Sequence, residues 1–148
     1  MLKIYKEWVR VEHLEEVAEK VGMLLKSEIE LQPKGCIVKK KRTLEIHANT
    51  AFFSCTLDFD ISFNRFREDG IAHNKAEIYL LPEEFPCFLS NFNAYPIPLP
   101  TDFHQRLISN PNIVCVHLES KERPEYFAER LAGALEVLEE LNGQIYMN

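Results

Sequence analysis

Glycine is scarce in this chain. Gly22, Gly35, Gly70, Gly133 and Gly143 are the only five in 148 residues, and no two are neighbours. A phosphate-cradling loop needs clustered glycines that let several backbone N–H groups converge, so dinucleotide and Walker-type sites are excluded. Metal-binding spacing is also missing, because His13, His47, His73, His104 and His117 form no HxH, HxxxH or HExxH pattern. The one close thiol–imidazole pairing, Cys115 with His117, supplies two ligands where a zinc site needs three or four. No serine stands in a Gly-x-Ser-x-Gly elbow, which removes the usual hydrolase signature. Cys36, Cys55, Cys87 and Cys115 are too widely spread for a disulfide scaffold. Three of them, Cys36, Cys55 and Cys115, lie in strand-like apolar settings where a thiol behaves as a small hydrophobe. Neither a cofactor nor a metal is expected.

Long apolar runs are lacking too. None approaches the roughly 20 residues of a membrane span, and Lys3, Lys6, Glu7 and Arg10 interrupt the first ten positions, unlike a secretory signal. The expectation is a cytoplasmic protein with no membrane partner. Positive charge is in deficit, with a net charge of −6, which disfavours nucleic acid and favours a basic partner. The single dense basic run, Lys39-Lys40-Lys41-Arg42, would divide between the two faces of a strand. Such lysines suit an edge strand that resists pairing better than they suit a nucleic-acid groove. Internal repeats and low-complexity tracts are absent.

What the chain does have is alternation. Ala51, Phe53, Cys55, Leu57, Phe59, Ile61 and Phe63 point one way, and Phe52, Ser54, Thr56, Asp58, Asp60, Ser62 and Asn64 the other. A strand reads so when one face is dry and the other wet, a pattern of antiparallel or mixed sheets. Leu14, Val17, Ala18, Val21, Leu24 and Leu25 recur at helical spacing, predicting an amphipathic helix over 11–27, and Phe127, Leu131, Ala134, Leu135, Leu138 and Leu141 predict a second behind Pro124. The fold class expected is a single α+β domain over 1–148: one antiparallel or mixed sheet with two long amphipathic helices packed on one face.

Further elements follow from local signals. Leu2, Ile4 and Trp8 suggest a first strand, and 28–32, 36–48 (one longer strand or a pair), 51–64 and 75–81 form a meander linked by Pro33-Lys34-Gly35, Asn49-Thr50 and Glu68-Asp69-Gly70. Five prolines between Pro82 and Pro100, interleaved with Phe85, Phe88, Leu89, Phe92 and Tyr95, predict a helical turn or two around 83–91 and then an extended segment packed on the domain. Thr101 can cap a short helix through Ile108, and the continuous apolar content of 112–119 fits an interior strand. Gly143 ends the last helix as a left-handed cap, leaving Gln144–Met147 as a terminal strand.

With the strands paired as a meander, Glu45, His47, Phe52, Asp58, Asp60, Glu77 and Tyr79 share the wet face, and Glu83 and Glu84 lie nearby in sequence. Rings as anchors and carboxylates for steering suit a basic protein partner. The chain makes a compact acidic domain with a Glu-rich final helix from Pro124 to Asn142 and the ending Asn142-Gly143-Gln144-Ile145-Tyr146-Met147. In these features it resembles the small bacterial immunity proteins that neutralise polymorphic or contact-dependent toxins. The family form carries a Gly-Gly turn and an acidic residue after the aromatic, where Asn142 and Met147 stand here. The resemblance implies a noncatalytic cytoplasmic inhibitor that binds a cognate toxin domain, and it transfers no site residues. Three rivals stay open: a small-molecule sensor or carrier with a pocket under 82–100, an enzyme using Asp58, Asp60 and His47 or His104, and a small acidic secretion chaperone.

Overall fold

The computed structural model describes residues 2–48, 50–109 and 112–147, with side chains described over 13–47, 50–109 and 112–139. Helix α1 (Leu2–Leu24) leads into strands β1 (Glu28–Gln32), β2 (Gly35–Ala48), β3 (Ala51–Asn64) and β4 (Ala72–Leu80). A 3-10 turn (Pro82–Glu84) and helix α2 (Phe85–Asn93) follow, then β5 (His104–Ser109), β6 (Val114–Glu122) and α3 (Pro124–Met147). The strands make one antiparallel sheet in the order β1-β2-β3-β4-β6-β5.

The first two links of the meander are too short to do anything but reverse the chain, and the longer β3–β4 link, residues 65–71, turns at a glycine. Ala48 pairs with Ala51 across a two-residue link, and Gln32 pairs with Gly35 across Pro33-Lys34. At Gly70, φ is +86°, in the left-handed region that glycine tolerates, and the Asp69 carboxylate closes the turn by accepting from the Ile71 N–H at 3.0 Å. Strand β6, whose Val114, Cys115, Val116 and Leu118 make it largely apolar, takes the interior place between β4 and β5, as its composition predicts.

Helices α1 and α3 bury their apolar stripes on one side of the sheet. Leu14, Val17, Ala18, Val21 and Leu25 meet Phe127, Ala128, Leu131, Ala134, Leu135 and Leu138 over Cys36, Val38, Phe59, Ile61, Phe63, Ala76, Ile78, Val116 and Leu118, in one continuous cluster. Phe88 and Phe92 of α2 belong to the same cluster and are fully buried. A third helix therefore joins the two expected, built from the turn read at 83–91.

The proline segment after α2 is held by one buried cation. Arg130 donates to both Glu122 carboxylate oxygens at 3.1 and 3.0 Å and to the Ile97 carbonyl at 2.8 Å, satisfying a loop carbonyl that no ladder reaches. Its guanidinium lies 4.9 Å from the Tyr95 ring centre and 5.7 Å from that of Phe92. Burial raises the Glu122 pKa despite hydrogen bonding by Ser120 and the nearby Arg130 charge.

Three sequence expectations are corrected. Residues 2–8 continue α1 instead of forming a strand, since the helix, seeded downstream, propagates back through a stretch with no glycine or proline. The segment from Thr101 to Ile108 is not a helix: His104–Ser109 is a strand, because β6 offers an open edge whose backbone groups need partners. Helix α3 runs through Gly143 to Met147, so the glycine turn and terminal strand behind the family resemblance are not formed. Interior glycine costs a helix only about 1 kcal/mol, which a continuing helix tolerates. Asn49 and the side chains of Leu2, Ile4, Trp8 and Leu141 lie outside what the structure describes.

Candidate binding face

The side of the sheet opposite the helices is the candidate site. Register assigns to it Glu28 and Glu30 from β1, Lys39, Lys41, Thr43, Glu45 and His47 from β2, and Phe52 to Asn64 at alternate positions of β3. From β4 come His73, Lys75, Glu77 and Tyr79, and from β6 Cys115, His117, Glu119 and Lys121. Exposure of Lys39, Lys41, Thr43, Glu45, His47, Phe52, Ser54, Thr56, Asp58 and Asp60 shows this half of the face open to solvent.

Strands β2 and β3 run on together as a two-stranded ribbon. Pairing of β3 with β4 is confined to Asp60–Asn64, whereas β2 and β3 stay paired out to Ala48 and Ala51. Near the ribbon's tip, His47 faces Phe52 with ring centres 4.7 Å apart, and Phe52 remains 57% exposed. Phe53, assigned by alternation to the dry face, is 46% exposed, since β4 does not follow β3 that far. The ribbon is tied down at Arg42, which donates to the Tyr79 carbonyl at 3.2 Å and to both oxygens of Glu84.

That contact moves Glu84 out of the candidate set. Glu84 is 4% exposed and accepts from Arg42 and from the Leu81 N–H, so it closes the 3-10 turn and cannot reach a partner. Glu83 is exposed but belongs to that turn and not to the sheet face.

The structure gathers what the sequence left scattered. Glu45, His47 and Phe52 stand on the ribbon, with Asp58, Asp60, Glu77 and Tyr79 further along the same face. Register sets Lys41 opposite Asp58 and Lys39 opposite Asp60, with Lys41 Nζ 3.9 Å from Asp58, so the basic run partly neutralises the carboxylates beside it. Asp60 in turn stands directly opposite Glu77, a like-charge cross-strand pair. Lys40 and Arg42 point to the other side, where Lys40 donates to the Leu25 carbonyl at 3.1 Å.

Next to Glu77 lies a linked row that the sequence did not disclose. Glu119 contacts His73 at 2.6 Å and His117 at 3.1 Å, and His117 Nδ1 lies 3.4 Å from Glu77. Hydrogen bonding to His117, reinforced by His73 and the Lys75 charge, lowers the Glu119 pKa. Cys115 moves the other way, raised first by desolvation and then by the Glu77 charge, so the thiol is held in its unreactive form. Desolvation, followed by the charges of Cys115, Glu77 and Asp60, also raises Tyr79. The alternations His73-x-Lys75-x-Glu77-x-Tyr79 and Cys115-x-His117-x-Glu119 were the available signal, but joining them requires knowing that β6 pairs with β4.

This arrangement offers recognition chemistry. Among the described residues no group of three His, Cys, Asp or Glu side chains is placed to hold a metal ion. Asp58 and Asp60 are three strand spacings, about 14 Å, across the sheet from β5 and further offset along it from His104, and His47 is about 20 Å along the ribbon from Asp58. These groups share no cleft. Beneath the proline segment, where the rival carrier reading places a pocket, the Phe92 ring lies 5.9 Å from Phe88, 5.8 Å from Phe103 and 6.5 Å from Phe127.

Fold and face together define an α+β protein with helices on one side of an antiparallel sheet and a solvated, charge-patterned surface on the other. No family model matches the chain, and comparison with curated proteins and with solved structures gave no match. Among the described residues, no helix is long and apolar enough to cross a membrane.

Proposed function

We propose that this protein is a noncatalytic, cytoplasmic inhibitor of the immunity type, which binds a cognate toxin domain through the open face of its sheet. The observation that carries this reading is the Asp60–Glu77 pair. Two carboxylates directly across from one another on a strand pair repel, Lys39 on the far side of Asp60 offsets only part of this, and an arginine or lysine of a partner relieves the remainder on binding. Phe52, exposed beside His47, supplies the ring that anchors such a contact, with Glu45 and Asp58 as flanking charges.

Because Lys39 and Lys41 stand opposite Asp60 and Asp58, the face is a pattern of both signs, which favours selection among partners over general attraction to cations. The test is affinity capture from the source organism with wild type and Asp60→Lys/Glu77→Lys, followed by titration of the captured protein against both. Loss of that protein by the variant, with a wild-type affinity that weakens with salt, supports the reading; equal capture by both removes it.

A further inference from the structure

We infer that two copies of this chain join through β5, edge to edge, into one continuous antiparallel sheet. Among the described residues β5 pairs only with β6, and it ends the sheet, so alternate backbone N–H and C=O groups along its outer side await partners. The strand also carries two apolar side chains that the monomer leaves in water, Leu107 at 45% exposure on the helix side and Ile108 at 60% on the open side. An edge of this kind has little of the usual protection: Arg106 is its one lysine or arginine, it has no proline, and it holds adjacent apolar residues on opposite faces.

A second copy is the occupant that fits, and register arithmetic says how. An antiparallel strand can pair with itself about a two-fold axis, the commonest symmetry of soluble oligomers. Directly opposed residues must share a face, which leaves few choices. Centring the pair on Leu107 puts Leu107 against Leu107 of the second copy, Arg106 against Ile108, and Gln105 against Ser109. Both exposed apolar groups are then covered, and the Arg106 stem lies along the isoleucine with its charge free to reach water. Centring on Arg106 instead opposes two guanidinium groups, and centring on Ile108 leaves only Leu107–Ser109 to pair. The other edge, β1, is shorter and bears Glu28 and Glu30, charges that deter the same event there.

The dimer is independent of the partner-binding reading, because it uses the edge far from β2 and β3 and leaves their face open. With only a few strand positions per copy at the seam, it dissociates on dilution. In a dilution series read by sedimentation or light scattering, the expected mass is twice the 17.3 kDa chain, falling towards one chain. Under mild oxidation in a Cys115→Ser background, Leu107→Cys forms a disulfide-linked dimer, its Cα atoms lying about 4.5–5.5 Å apart across the axis. Arg106→Cys does not, since its copies stand diagonally at about 7–8 Å. A single 17.3 kDa mass throughout, or crosslinking at Arg106→Cys without Leu107→Cys, overturns the proposal. So does a ladder of masses beyond two copies, which means β1 pairing head to tail with β5.

Discussion

Replacing Glu84 tests whether the β2–β3 ribbon is positioned by a buried ion pair. Glu84 is 4% exposed and takes three hydrogen bonds, two from Arg42 and one from the Leu81 N–H at 2.8 Å. Glu84→Ala removes the carboxylate and leaves a largely buried guanidinium with only the Tyr79 carbonyl. Breaking such a pair from one side costs about 3–5 kcal/mol, and the 14% exposure of the Arg42 side chain, through which water can approach, places the loss near the lower end. A domain of this size has roughly 5–15 kcal/mol in hand, so the variant still folds. With a urea m-value of about 1–3 kcal/mol/M, a loss near 3 kcal/mol moves the unfolding midpoint down by roughly 1–3 M. Glu83→Ala, one residue away and exposed, should stay within about 0.5 kcal/mol of wild type. Arg42→Met/Glu84→Met should lose less than the two single substitutions added together. Equal midpoints for the Glu83 and Glu84 variants, or simple additivity in the cycle, would refute the clamp.

Two glycines should respond in opposite directions. A Cβ at Gly35 would lie 1.9 Å from the Phe63 carbonyl oxygen, so Gly35→Ala should cost at least about 3 kcal/mol in urea unfolding. At Gly133, exposed within α3, a Cβ meets nothing within 4 Å, and Gly133→Ala should add about 1 kcal/mol. Burial pushes the Cys36 thiol up from 9.0 to about 11. The unfolded thiol ionises first as pH rises, so stability should fall across that interval, and Cys36→Val should show a smaller fall when midpoints are compared. Glu119 works in the opposite pH range. Its pKa lies below the ordinary 4.5, so its contribution is present above that value and is lost as acid protonates the folded carboxylate, a loss that Glu119→Gln should not show.

Much of the architecture is legible in local patterning. The alternation from Ala51 to Asn64 marks β3 with the ends the structure gives it, and the stripe from Phe127 to Leu138 marks the buried side of α3. Patterning assigns a side chain to a face but does not say what covers that face, which is why Phe53 reads as buried and stands half-exposed where β4 has parted from β3. Strand β5 escaped for a related reason: Gln105 to Ile108 has no strong preference of its own and becomes a strand because β6 lies beside it. At Gly143 a common stop signal is overridden by a helix that continues.

The candidate face was legible strand by strand and opaque across strands. Glu45, His47, Phe52, Asp58, Asp60, Glu77 and Tyr79 all lie on it, as the alternation implies. Opposition of Asp60 to Glu77, lysines beside the aspartates, and the row joining His73, Glu119, His117 and Glu77 depend on register between strands. Glu84 misled because its partner, Arg42, is 42 positions away in sequence.

The proposed interaction joins the open sheet face to a protein partner through a cation shared by Asp60 and Glu77. Its most direct test is a salt-dependent titration of the captured partner against wild type, Asp60→Asn/Glu77→Gln and Asp60→Lys/Glu77→Lys, with circular dichroism confirming that all three fold alike. Affinity should fall in that order, with the salt dependence shrinking in the neutral variant. Affinity unchanged across the three would contradict it and move any partner to another surface.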